Sequence, residues 1–164
     1  MLYFGYCTLL DFASMKRYAP TAEFRGIAYL ADSALAFAAY STDPLRGGCT
    51  IAEAPTKLLA GALYELTADE FQDLDNASGV EEGWYQRIDV LVRNTDGHMT
   101  SATTYIIPNP IEPFAPSSEY VAPIFRGAAD LQLTQEYREG LREIVRTFQD
   151  GMGHGVTSGA NESS

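Results

Sequence analysis

Ala60-Gly61-Ala62-Leu63-Tyr64-Glu65-Leu66-Thr67-Ala68-Asp69-Glu70-Phe71 is an apolar segment that runs straight into a helix start. Thr67 and Glu70 have the spacing of a capping box: the Thr67 hydroxyl accepts from the Glu70 N–H, and the Glu70 side chain returns to the Thr67 N–H. Leu66 and Phe71 are placed for a hydrophobic staple across the same junction. The pattern predicts a short helix from Ala68 to about Asn76, fed by a strand-like piece from Leu58 to Leu66.

Upstream of that junction, Met1 to Tyr6 is a short apolar run suited to a buried strand that ends in a loop, and a brief helix over Phe12 to Tyr18 follows. Phe24 to Leu30 and Ala34 to Tyr40 read as two strands turned back around Asp32-Ser33. Gly47-Gly48 interrupts the chain before Cys49 to Ala52, and Pro55 separates that piece from Leu58 onward. Downstream, Ile88, Val90 and Val92 alternate with Arg87, Asp89 and Arg93 as a half-buried strand, and Asp96-Gly97 turns it into a second strand reaching Ile107. Pro108, Pro110, Pro113 and Pro116 exclude regular structure and predict an ordered loop or crossover. A last helix over Gln135 to Gln149 lines up Leu133, Tyr137, Leu141, Ile144, Val145 and Phe148 on one stripe. Strands outnumber the short helices, which predicts a single α+β domain over residues 1–150, built on a curved or closed, barrel-like mixed sheet. Gly151 to Ser164 is small, polar and glycine-rich, and is expected to be a flexible tail.

Composition narrows the partners. A net charge of −11 over 164 residues repels polyanions, so neither nucleic acid nor an anionic membrane is an expected partner. No apolar run reaches the roughly 18 residues of a membrane span, and Met1 to Leu10 lacks the basic start of a signal peptide. The expected compartment is the cytoplasm. Cys7 and Cys49 are the only cysteines, and in that compartment two free thiols are expected.

Several blocks, in order, resemble the gamma-glutamylcyclotransferase family. Tyr3-Phe4-Gly5-Tyr6-Cys7-Thr8-Leu9-Leu10 is similar to its opening Tyr-Phe-x-Tyr-Gly-Ser-Asn-Leu, and Gly61-Ala62-Leu63-Tyr64 to its Gly-x-Leu-Tyr strand. Leu74-Asp75-Asn76-Ala77-Ser78-Gly79-Val80 is similar to Leu-Asp-x-x-Glu-Gly-Val and continues through Gly83-Trp84-Tyr85. Thr104-Tyr105-Ile106, Pro116-Ser117-Ser118-Glu119-Tyr120, Gly127-Ala128 and Glu136-Tyr137 complete the series. The resemblance implies a gamma-glutamylcyclotransferase-like fold with no metal or organic cofactor. It implies a small-molecule ligand, a γ-glutamyl or related amide. In that family's reaction the ligand's own α-amino group attacks its side-chain carbonyl, closes 5-oxoproline and releases an amine. The protein supplies a base for an ammonium of pKa about 8, donors for the oxyanion, and a pocket enforcing the curled conformer.

By that resemblance Tyr6, Cys7, Thr8 and Leu9 form the binding loop, with Tyr85, Tyr105 and Tyr120 as pocket walls or, equally, core aromatics. The family's glutamate is replaced by Ser78, whose hydroxyl cannot take a proton from an ammonium near neutral pH. Three readings stay open. A displaced acid, Glu82 or Glu81, serves as base; or the protein is a pseudoenzyme that binds a ligand through the retained pocket; or the pocket is repurposed around Cys7. Neither His98 nor His154 matches a functional family position. Oligomeric state is not readable from the chain.

Overall fold

The computed structural model describes residues 1–151; His154 and the expected flexible tail beyond Gly151 lie outside the described residues. Five strands, β1 (Leu2–Gly5), β2 (Glu23–Thr42), β3 (Leu45–Glu65), β4 (Gln86–Asn94) and β5 (Met99–Ile106), close a barrel in the order β1-β3-β2-β4-β5. Every pairing is antiparallel except the closing one, where Tyr3 of β1 meets Thr103 of β5 in parallel. Four helices surround it: α1 (Phe12–Tyr18), α2 (Ala68–Ser78), α3 (Ser118–Asp130) and α4 (Gln135–Gln149). Among the described residues no helix is long and apolar enough to cross a membrane.

The capping box of α2 forms as the spacing predicts, with Glu70 N–H donating to the Thr67 hydroxyl and Thr67 N–H to the Glu70 carboxylate. The same buried carboxylate also accepts the Thr21 N–H and hydroxyl, both at 2.8 Å, which ties the segment before β2 to α2. Burial alone would raise the Glu70 carboxyl; the hydrogen bonds from Thr67 and Thr21 outweigh it and hold the group below its usual range.

Two sequence expectations need correction. The chain does not reverse at Asp32-Ser33. β2 and β3 form one long hairpin whose turn is at Asp43-Pro44, and Asp32 is a kink with φ of 53°. Asp tolerates that region, and its carboxylate accepts the N–H of Thr56, another positive-φ residue, across the hairpin at 3.0 Å. The Gly47-Gly48 pair likewise lies within β3 rather than breaking it. α3 has no counterpart in the sequence reading, because prolines precede it and Pro123 lies within it. Ser117 caps it by accepting from the Tyr120 N–H. The proline-rich segment before it is ordered, with Ile111 and Phe114 donating to β2 carbonyls at Ala39 and Phe37.

The core is in two parts. In one, Phe4, Leu35, Phe37, Leu59, Leu63 and Val92 pack with Ile124 of α3 and with Leu141, Val145 and Phe148 of α4. In the other, Tyr3, Tyr64 and Tyr105 pack with Met15 of α1 and with Phe71 and Leu74 of α2. Between α1 and α3, Asp11 is 2% exposed, caps α1 through Ser14 and pairs with Arg126 at 2.7 Å. The hydrogen bond from Arg126 holds the Asp11 carboxyl below its usual range.

The expected free thiols are also corrected. Cys7 and Cys49 form a disulfide, with Cα atoms 6.5 Å apart. β1 pairs with the far end of β3, Gly5 opposite Ala62, and the chain beyond β1 then carries Cys7 to Cys49, a proximity that the compartment argument does not address.

Two predictions arise here. Replacing both cysteines by alanine removes a link across 42 residues and should lower stability by about 2–4 kcal/mol, read as a lower urea midpoint. Because the Asp11 carboxyl is lowered in the folded state, its stabilisation is complete above the unfolded value of about 3.9 and is lost as pH falls through the lower folded value. Asp11→Asn should therefore flatten the acid limb of a stability–pH profile below about pH 4. An unchanged limb would show that Asp11 does not couple folding to protons.

Candidate functional site

The site starts where β1 ends. After Gly5 the chain passes through Tyr6 and Cys7 into a 3-10 turn, Thr8–Leu10, closed by Leu10 N–H donating to the Cys7 carbonyl at 3.0 Å. The N–H groups of Thr8 and Leu9 precede that first internal bond and have no partner within the turn, which leaves them as free donors in the loop. The loop is held from both ends. Tyr64 donates to the Leu9 carbonyl at 2.8 Å, and α3 lays Gly127 against the Leu10–Asp11 backbone. Tyr6 is buried, and its hydroxyl donates to the Tyr105 carbonyl on β5 at 2.8 Å.

The disulfide joins this loop to the first part of β3. There Tyr85 donates to the Cys49 carbonyl at 2.8 Å, and Tyr120 accepts from the Cys49 N–H at 3.1 Å with its oxygen 3.3 Å from Cys49 Sγ. The two hydroxyls reach so far over the strand that a Cβ on Gly48 would lie 2.3 Å from one and 2.9 Å from the other. Only glycine admits that approach. Burial pushes the Tyr85 and Tyr120 hydroxyls up, as it does Tyr6, so all three stay protonated across neutral pH. In its bonded form Cys7 carries no thiolate and cannot act as a nucleophile.

Ser78 is the last residue of α2, half-buried and without a hydrogen bond to another described side chain. Gly79 follows at φ 70°, a left-handed cap, and the Trp84 ring lies directly over it. Trp84 stacks on Tyr40 at 5.1 Å, and Tyr40 meets Tyr85 edge-on at 5.7 Å. This aromatic run carries the wall from the end of α2 to the Tyr85–Tyr120 pair.

The carboxylates near Ser78 are accounted for. Asp75, one helical turn earlier, takes two bonds from Arg87 at 2.7 and 2.8 Å and a third from the Tyr105 hydroxyl at 2.6 Å. Arg87 lies over the Phe71 ring at 4.7 Å. Tyr105 thus spends its hydroxyl on α2, and only its backbone meets Tyr6. Glu81 and Glu82 stand exposed on the turn between Gly79 and Trp84. His98 pairs with Asp96 at the β4–β5 hairpin tip.

The structure therefore brings Tyr6, Cys7, Tyr85 and Tyr120 together and places Ser78 at the far end of the same aromatic wall. Three neighbouring residues were given no role by the sequence: Cys49, Asp75, which it marked only as part of the Leu74–Val80 motif, and Arg46, whose guanidinium lies 5.2 Å from the Trp84 ring. The one available hint was that Cys49 is the only possible partner for Cys7. Among the described residues, no group of three or more His, Cys, Asp or Glu is placed to hold a metal ion. A groove of about 900 Å3 lies elsewhere, between α4 and the β2–β3 hairpin, and none of the residues above lines it. The site is defined by converging polar groups rather than by volume.

Known proteins agree with this architecture. The AIG2-like family matches residues 59–141. Gamma-glutamylcyclotransferases of Mus musculus and Homo sapiens are each 30% identical over 147 residues, covering 87% of this chain and 78% of theirs. The solved structure of a gamma-glutamyl cyclotransferase superposes with a TM-score of 0.78 at 27% identity, over 92% of this chain and 99% of that one. On this agreement in sequence and overall fold, the chain belongs to the AIG2-like, gamma-glutamylcyclotransferase family.

Proposed function

We propose that this protein binds a small γ-glutamyl or related amide against the Tyr6–Leu9 loop and cyclises it to 5-oxoproline only slowly. The carrying observation is that, among the described residues around Ser78, no carboxylate is both near and uncommitted. Asp75 has its oxygens occupied by Arg87 and Tyr105, and Glu81 and Glu82 face solvent. The ligand brings its own nucleophile, so what remains in the protein is binding, conformational restraint and the oxyanion donors Thr8 N–H and Leu9 N–H. The missing element is a proton acceptor for the ligand's ammonium. A positioned general base typically contributes about 10²- to 10⁴-fold, and a serine hydroxyl does not replace it.

This reading needs no metal or organic cofactor, since the lactam closes without redox change or Lewis acid. The proposed compartment is the cytoplasm, where disulfides are rare; both cysteines of the Cys7–Cys49 bond are buried, which shields it from thiol exchange.

The test is 5-oxoproline release from a panel of γ-glutamyl amides, followed by mass spectrometry alongside calorimetric binding. The wild-type protein should bind at least one member and turn it over feebly, and Ser78→Glu should raise release by about 10²-fold or more. Rapid wild-type turnover would refute the proposal, and Glu81→Gln and Glu82→Gln would then identify the acid in use.

A further inference from the structure

A γ-glutamyl amide carries an α-carboxylate, and this chain is hostile to anions: 22 acidic residues against 11 basic ones. Against that field a carboxylate is held most strongly by a cation placed locally, with its donors free. Arg87 and Arg126 do not qualify, because Asp75 and Asp11 already occupy them. Arg46 does: among the described residues no carboxylate lies within ion-pair distance of it.

Its placement is specific. Successive side chains of a strand alternate faces, so Arg46 shares the face of Gly48, over which the Tyr85 and Tyr120 hydroxyls meet. Its guanidinium lies 5.2 Å from the Trp84 ring, and Trp84 covers Gly79, the neighbour of Ser78. Arg46 therefore lies on the strand face that the tyrosine pair covers and against the ring that covers the end of α2. Contact with an aromatic face fixes a guanidinium while its N–H edge stays available for a planar, two-pronged acceptor. We propose that Arg46 is the specificity-determining residue that receives the α-carboxylate of the ligand, held in place by Trp84. This assignment rests on the reading that the site binds a γ-glutamyl amide.

A merely structural Arg46 would pin the hairpin end to Trp84 without any preference for a ligand's charge, and the experiment separates the two roles. Two probes are titrated calorimetrically into the full chain: γ-glutamyl anilide, and the same molecule with its α-carboxylate converted to a carboxamide. The wild-type protein should prefer the carboxylate by about 10- to 100-fold, the range for hydrogen bonds to a charged group. Arg46→Gln should abolish that preference, and so should Arg46→Met, which keeps an apolar stem over Trp84. Arg46→Lys should retain part of it, since the charge remains without the fork. Thermal melts confirm that each variant is folded. If Arg46→Gln or Arg46→Met still discriminates as the wild type does, the role of Arg46 is overturned while ligand binding at the site stands. If the wild type binds neither probe, both the role and the binding reading fall.

Discussion

Everything in this molecule depends on four residues closing a barrel. β1 is short, yet it pairs with β3 along one side and meets β5 on the other. Without it the sheet would expose two unpaired edges, a costly state for backbone groups otherwise buried. Side chains reinforce the seam where the ladder is thin. Thr104 donates to the Phe4 carbonyl at 2.7 Å, and Tyr6 donates to the Tyr105 carbonyl. The loop that offers Thr8 and Leu9 N–H groups is the direct continuation of this strand, so barrel closure and loop position are one constraint.

A second economy lies in how the tyrosines are used. Tyr85 and Tyr120 grip the backbone of Cys49 from above, and Tyr105 grips α2 through Asp75. Each is both a wall and a bracket. An apolar ring supplies buried area, and a hydroxyl kept protonated by burial supplies one directed bond. The carboxylate at Asp75 is equally committed: with Arg87 and Tyr105 it fixes the last turn of α2 against β4 and β5. Chemistry at the end of α2 is thereby limited to what residue 78 itself carries.

Where local chemistry determined structure, the sequence was readable. Thr67 and Glu70 satisfied each other within one turn, and Asp96-Gly97 made a tight hairpin. Both are short-range effects. The chain reversal expected at Asp32 failed because a left-handed aspartate serves a bulge as well as a turn, and only the partner strand, through Thr56, decides which. Helix α3 was masked by the prolines that precede it, although Ser117 was a legitimate cap. In the site, the motif order placed Tyr6, Cys7, Tyr85 and Tyr120 in one region. It could not show that Tyr105 points to α2, nor that Cys49 and Arg46 join the group, because those facts depend on pairing between residues far apart in the chain.

The β2–β3 hairpin has a consequence for how the molecule assembles. Its two strands are neighbours in sequence, so their pairing requires only the short turn at Asp43-Pro44 to close, whereas the Tyr3–Thr103 contact must close a loop of nearly two-thirds of the chain. Loop-closure entropy rises with separation, and contacts of high separation form at greater entropic cost. The hairpin is thus the natural early unit and the β1 seam the late one. The loop after β1 takes its place with that last contact, so intermediates that already hold much of the sheet do not yet hold the candidate site.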